Sequence, residues 1–146
     1  MLTQLQLGNQ LCFPLYASSR LITRLYQEYL TPLGLTYPQY IVMMILWEHA
    51  PCPIKVVGEK ALLNTNTLTP LLKRLEQQGY IHRRRADSDE RMVLIHLSEA
   101  GVLLQQQCSE IPAQLMTKLG VEPAALLSLK KLLDEILPAL CEHVDN

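Results

Sequence analysis

Between Asn64 and Leu97 the period of the chain changes. The segment "NTNTLTPLLKRLEQQG" repeats its leucines at helical spacing, with Asn66 as the expected N-cap, Pro70 in the first turns and Gly79 as the C-terminal stop. "YIHRRR" and "RMVLIHL" follow as short runs of β character around the turn-like "ADSDE", which predicts a two-stranded hairpin. The rest of the chain has to be fitted around that helix and its hairpin.

What surrounds them is helical. A first helix is expected over residues 11–30, with Leu11, Leu15, Ile22 and Leu25 at helical spacing on one face and "TPLGL" as its break. A second lies in "TYPQYIVMMILWEHA", capped by Thr36 and tolerating Pro38 in its first turn. Its nearly all-apolar middle predicts burial on most sides, with Met43, Met44 and Trp47 in the core. After an "APCP" turn, "IKVVGEKALL" gives a short helix. Two long helices are expected to close the chain, over 98–119 and 122–144. Pro123 takes a permitted early position, while Pro112 and Pro138 fall inside these helices and should kink them. No repeat, low-complexity tract or interdomain linker interrupts the pattern, so one unit over 1–146 is expected, mainly α with a small β-hairpin.

Composition narrows the function classes. At 146 residues the chain can bury a real core, and no apolar run approaches the roughly 18 residues that a bilayer span needs. "MLTQLQLGNQ" has no basic segment ahead of a long apolar run, so a cytoplasmic protein is expected. Cys12, Cys52, Cys108 and Cys141 are widely spaced and form no C-x-x-C pair, which argues against a structural zinc site and against a disulfide-stapled domain. No metal and no cofactor is expected. The net charge of -1 conceals an asymmetry: Lys55 to Arg91 holds eight basic and five acidic residues, whereas Ser98 to Asn146 holds three and seven. The middle of the chain is the part suited to a polyanion.

A short helix, a tight turn, a second helix with a polar tip and then a basic hairpin is the order of a winged helix-turn-helix. Thr65, Asn66, Thr67 and Thr69 at the tip are short hydrogen-bonding side chains able to meet base edges or phosphates in a major groove, with Lys73 and Arg74 on the next turn. Arg83, Arg84, Arg85 and Arg91 bracket the hairpin tip, where long cations reach phosphates or a minor groove. Taken singly, polar residues at a helix start are caps and an arginine-rich strand is a solvated face. Their order is what points to duplex DNA.

The segment "NTNTLTPLLKRLEQQGYIHRRRADSDERMVLIHLSEAG" resembles the recognition helix and wing of the MarR family, including a D-x-R-x5-L-[ST] signature in Asp89, Arg91, Leu97 and Ser98. "LCFPLYASSR", "TYPQY" and "LWEH" narrow the resemblance to the organic hydroperoxide resistance regulators; it covers almost the whole chain and is specific through residue 112, the final helices matching only in character. The resemblance implies a homodimeric repressor. Residues of about 36–97 would form the winged helix-turn-helix, about 9–31 and 98–146 the dimerisation helices, and the two wings would flank a palindromic operator. It also implies that Arg91 is the wing-tip arginine in the minor groove, with Asp89 as its orienting partner.

Cys12 sits where a core cysteine has no reason to be. If the first helix begins near residue 11, Pro14 falls where the backbone N–H has no intrahelical partner, and Cys12 lies in the first turn. There the positive end of the helix macrodipole favours thiolate, the species that attacks peroxides. Tyr26 returns to nearly the same helix face, but about 21 Å further along the axis, so the two cannot touch within one helix. A shared site would have to form across a dimer axis between antiparallel first helices. The resemblance implies that arrangement: Cys12 as the oxidation sensor for an organic hydroperoxide, with Tyr26 and Tyr37 of the partner subunit donating hydrogen bonds to it. Tyr16, one turn from Cys12, could line the same pocket or simply pack. Phe13, Leu15 and Ile41 would suit an organic tail. Some relatives resolve the sulfenic acid with a second cysteine from the partner's terminal helices. Cys108 and Cys141 are the candidates in that region, and the choice between one and two cysteines stays open at this level.

Two other functions fit parts of the sequence. A thiol peroxidase would share the reactive cysteine, but no peroxidase frame surrounds Cys12 and the basic wing would have no purpose. The nearer alternative is a MarR-type regulator released by non-covalent binding of a small aromatic ligand, with Cys12 as core.

Overall fold

The computed structural model describes residues 2–144, so Met1 and residues 145–146 of the predicted unit lie outside the described residues. The chain divides into two compact units, Met1–Tyr40 and Ile41–Asn146.

In the first unit, two 3-10 turns, Thr3–Leu5 and Leu7–Asn9, precede helix α1, Cys12–Leu30. A 3-10 turn at Thr31–Leu33 carries Pro32, and Gly34 follows in the left-handed region at φ 71°, which ends the helical path as "TPLGL" predicts. The Gln27 side chain ties this turn back to α1 by donating to the Leu35 carbonyl and the Thr31 hydroxyl, both at 2.9 Å. Helix α2, Tyr37–His49, starts at a reciprocal cap: the Thr36 N–H donates to Gln39 Oε1 at 2.8 Å, and the Gln39 N–H donates to Thr36 Oγ1 at 3.4 Å. Gln39 is only 2% exposed, and the cap is what satisfies its side-chain oxygen there.

The second unit takes Val42, Met43, Ile45 and Leu46 of α2 into its core. Met44 corrects the sequence reading: it is 38% exposed, because at 100° per residue even an apolar helix keeps one narrow face outward. The "APCP" turn holds a two-residue strand, β1 (Cys52–Pro53), ahead of α3 (Ile54–Ala61) and α4 (Thr65–Gln77). The expected hairpin is present as β2 (Ile81–Arg85) and β3 (Val93–Leu97), and β1 extends it to a three-stranded antiparallel sheet in the order β1-β3-β2. Cys52 lies opposite Ile95 and Pro53 opposite Leu94. A proline is tolerated there because β1 is an edge.

Asn64, not Asn66, caps α4: its backbone is extended and its side chain accepts from the Thr67 N–H at 2.9 Å. The α3–α4 turn passes through Leu62 at φ 54°, and the next N–H, on Leu63, returns to the Gly58 carbonyl at 3.0 Å. Val57 of α3 and Leu68, Leu72 and Leu75 of α4 are buried, which sets the opposite face of α4 outward.

The expected helix over 98–119 is two helices, α5 (Glu99–Cys108) and α6 (Ile111–Leu119). Pro112 does not kink a helix interior. It sits in the first turn of α6, where its missing N–H costs nothing and its ring meets no preceding carbonyl. Helix α7, Pro123–His143, carries Pro138 in its interior and buries none of its described residues. Among the described residues no helix is long and apolar enough to cross a membrane.

Candidate nucleic-acid interface and thiol site

The second unit presents the basic surface. Thr65, Asn66, Thr67, Thr69, Lys73 and Arg74 are all exposed on α4, since the burial of Leu68, Leu72 and Leu75 leaves them on the free side. Capping by Asn64 leaves the Asn66 side chain outside that cap and exposed at the tip.

The wing is a closed hairpin. Ala86 N–H donates to the Met92 carbonyl at 2.8 Å, and Met92 N–H donates to the Asp89 carbonyl at 3.0 Å. Asp89 Oδ1 accepts from the Arg91 N–H at 3.0 Å and from Arg91 Nε at 3.3 Å. That pairing directs a guanidinium that is otherwise 94% exposed. Arg84 is exposed on β2, and Arg85 donates from Nη1 to the Glu90 carbonyl at 2.7 Å across the tip.

Arg83 is used differently from its neighbours. Strand alternation turns it toward α4, where Nε and Nη2 donate to Glu76 Oε2 at 3.0 and 2.8 Å while its backbone N–H donates to Oε1 at 3.0 Å. The Arg83 guanidinium, helped by its N–H, holds the Glu76 carboxyl below the usual carboxylate range. Sequence reading grouped Arg83 with the DNA-facing cations and passed over Glu76. The seven-residue separation across a helix stop gave no periodic signal for the pair.

The wing base is pinned to α5 as well. Ser98 caps α5 by accepting from the Gly101 N–H at 3.0 Å, and its hydroxyl donates to the Gly79 carbonyl. Trp47 Nε1 donates to the Gly101 carbonyl at 2.9 Å, and a Cβ on Gly101 would lie 2.1 Å from the Tyr80 carbonyl oxygen. Only glycine fits that approach.

The first unit holds the thiol. Cys12 is the first residue of α1, within the first turn expected for it although the helix begins a residue later, and it is exposed. Leu11, Phe13, Leu15 and Tyr16 beside it are exposed too. Tyr16 carries the Arg20 guanidinium over its ring at 5.1 Å, which gives it a packing role of its own.

Tyr26 and Tyr37 come together with centroids 4.9 Å apart. Tyr40, which sequence reasoning did not single out, completes a cluster at 5.7 Å from Tyr26 and 6.2 Å from Tyr37. The i, i+3 spacing of "YPQY" was the signal that could have found it. Burial pushes the Tyr26 phenol up, with Tyr37 adding to it, and burial pushes the Tyr37 phenol up. Both hydroxyls therefore remain donors throughout the range in which a thiol ionises. Within one chain, Cys12 and this cluster lie at opposite ends of α1 and do not meet.

Cys52 and Cys108 are buried, and burial pushes both thiols up, while Cys141 on α7 is exposed. Among the described residues no group of three or more His, Cys, Asp or Glu side chains is placed to hold a metal ion.

A family model described as transcriptional regulator SarA/Rot matches residues 24–108. The organic hydroperoxide resistance transcriptional regulator of Bacillus subtilis is 48% identical over 128 residues, covering 88% of this chain and 85% of its own. AbfR of Staphylococcus epidermidis, in its reduced form bound to DNA, superposes with a TM-score of 0.78 at 36% identity, over 94% of this chain and 96% of its own. Its disulfide form superposes with a TM-score of 0.66 at 37% identity, over 92% and 94%. Apo MarR of E. coli gives 0.72 at 25% identity, over 88% and 98%. An exposed polar helix tip beside a basic wing, on a fold these proteins share, places the chain in the MarR family, subgroup of the organic hydroperoxide resistance regulators: it is a DNA-binding transcriptional regulator.

Proposed function

We propose that the chain is a homodimeric cytoplasmic repressor that holds a palindromic operator in its reduced form and releases it when an organic hydroperoxide oxidises Cys12. The observation that carries this reading is the placement of an exposed thiol at the first residue of α1 and a cluster of tyrosines at its far end. Two such helices paired antiparallel bring each Cys12 to the partner's tyrosines, and a single chain cannot do so. Hydroxyls that donate to a sulfur anion stabilise it selectively, by roughly 1.5 to 3 kcal/mol per bond to a charged group.

The chemistry is a two-electron oxidation. The thiolate sulfur attacks the terminal oxygen of the hydroperoxide, the O–O bond breaks, and the alkoxide leaves and takes a proton to become the alcohol. Sulfur keeps the hydroxyl as a sulfenic acid. Exposed Leu11, Phe13 and Leu15 beside the thiol suit an alkyl or aryl tail better than hydrogen peroxide. Exposure favours Cys141, or a small thiol from solution, over buried Cys108 as the group that resolves the sulfenic acid. The relative AbfR exists in a reduced form bound to DNA, in an overoxidized form bound to DNA and in a disulfide form.

Dimerisation draws its support from α7. A helix with no buried residue and with Leu127, Leu129, Leu132, Ile136, Leu137 and Leu140 exposed is an interface half, not a solvated surface. Cys12→Ser protein tests the sensor. It should bind its operator as tightly as wild type and stay bound when an organic hydroperoxide is added. If the variant still lets go, whether to the hydroperoxide or to a small aromatic acid, Cys12 is not the sensor and the non-covalent alternative takes its place.

A further inference from the structure

We propose that Glu76 is a positioning residue for operator recognition: it locks the wing to the recognition helix so that one rigid piece spans two adjacent grooves. The α4 tip and the wing tip would meet a duplex in different grooves, so the distance between them has to match the groove spacing of B-form DNA. Only residues 78–80 connect α4 to β2, and Gly79 among them stands at φ 82°. The Gly79 and Tyr80 N–H groups return to the Glu76 and Leu75 carbonyls at 3.0 and 3.1 Å, which makes the connection one tight turn between helix and strand. Glu76 braces it by using both carboxylate oxygens on one residue of the opposite strand, accepting from the Arg83 backbone N–H, Nε and Nη2 at 2.8 to 3.0 Å. The side chains are about one third exposed, and they form the one ion pair among those described that bridges the helix and the wing. Arg84, Arg85 and Arg91 then project from a braced hairpin, and Arg83 acts within the protein, not on DNA.

Glu76→Gln tests this, because the amide keeps the shape and the acceptor for the Arg83 N–H and loses the charge. The probe is a duplex selected from random sequence by the reduced wild-type protein, used at full length and again with the flanks beyond each half-site trimmed away. Wild type should lose affinity on trimming, because its wing no longer finds phosphates. Glu76→Gln should bind the full duplex about tenfold more weakly, the loss expected for a hydrogen bond to a charged group, and should lose little more on trimming. A general loss of stability would weaken both duplexes equally, so the ratio between them isolates positioning from folding. Arg83→Gln should reproduce the ratio, and the double variant should be no worse than either single one. Arg83→Lys, which keeps the charge without the fork, should fall between wild type and Arg83→Gln and serves if the glutamine variants unfold. The proposal is overturned if Glu76→Gln keeps the wild-type ratio. It is equally overturned if Arg83→Gln flattens the salt dependence by about one phosphate while Glu76→Gln leaves it unchanged, since Arg83 would then touch DNA itself.

Discussion

Arg91 has almost its whole side chain in solvent, and Asp89 two residues earlier is what orders it among the described residues. Such an exposed pair contributes little to folding, so its value lies in where it aims the cation. Arg91→Ala should leave thermal stability nearly unchanged, weaken operator binding, and reduce the slope of log affinity against log salt by about one. Filter binding across a salt series checks this, and an unchanged slope would remove Arg91 from the DNA contacts. At the other unit, Tyr26→Phe and Tyr37→Phe remove hydroxyls that burial keeps protonated. Each should slow oxidation of Cys12 several-fold while the reduced protein binds DNA as before. Wild-type oxidation rates in both variants, followed by mass, would leave the tyrosines as packing.

Among the elements, those with a long periodic signal were legible in the sequence, and those fixed by one close contact were not. Helices α1 to α4 and both long strands follow from leucine spacing, proline position and glycine stops. The cap of α4 is ambiguous in the sequence because Asn64, Thr65, Asn66 and Thr67 can all cap, and the choice falls to whichever residue stays extended after the Leu62 turn. Strand β1 has two residues, too few to carry any alternation, and it exists because β3 offers it an edge. The break between α5 and α6 follows from Pro112, which opens α6 instead of kinking one longer helix. For the site, the residue types and the Cys12 to Tyr26 geometry were legible, whereas Tyr40 and the Glu76–Arg83 brace needed the folded chain. Gly101 tests how much such a close contact matters. Gly101→Ala places a methyl against the Tyr80 carbonyl at 2.1 Å and should destabilise the fold by about 1 to 3 kcal/mol, read as a lower urea midpoint at fixed protein concentration. An unshifted midpoint would mean that α5 and the wing base separate freely.

For the whole molecule, the exposed leucines of α7 and the apolar groove between α6 and α7, lined by Met116, Val121, Leu126 and Leu133 among others, are the surface that the proposed dimer would cover. Sedimentation at micromolar concentration should give a dimer. Leu132→Glu combined with Ile136→Glu should shift it to monomer and abolish tight binding to a palindrome, because one winged helix-turn-helix reads only a half-site. A double variant that remains dimeric would move the interface elsewhere. The account as a whole joins two events, oxidation of one sulfur and release of DNA, and the most direct measurement takes both from the same samples. During titration of the operator complex with an organic hydroperoxide, the fraction of duplex still bound and the fraction of Cys12 carrying added oxygen or a disulfide should change in step. Release while Cys12 is still a thiol, or complete oxidation of Cys12 with the duplex still bound, would contradict it.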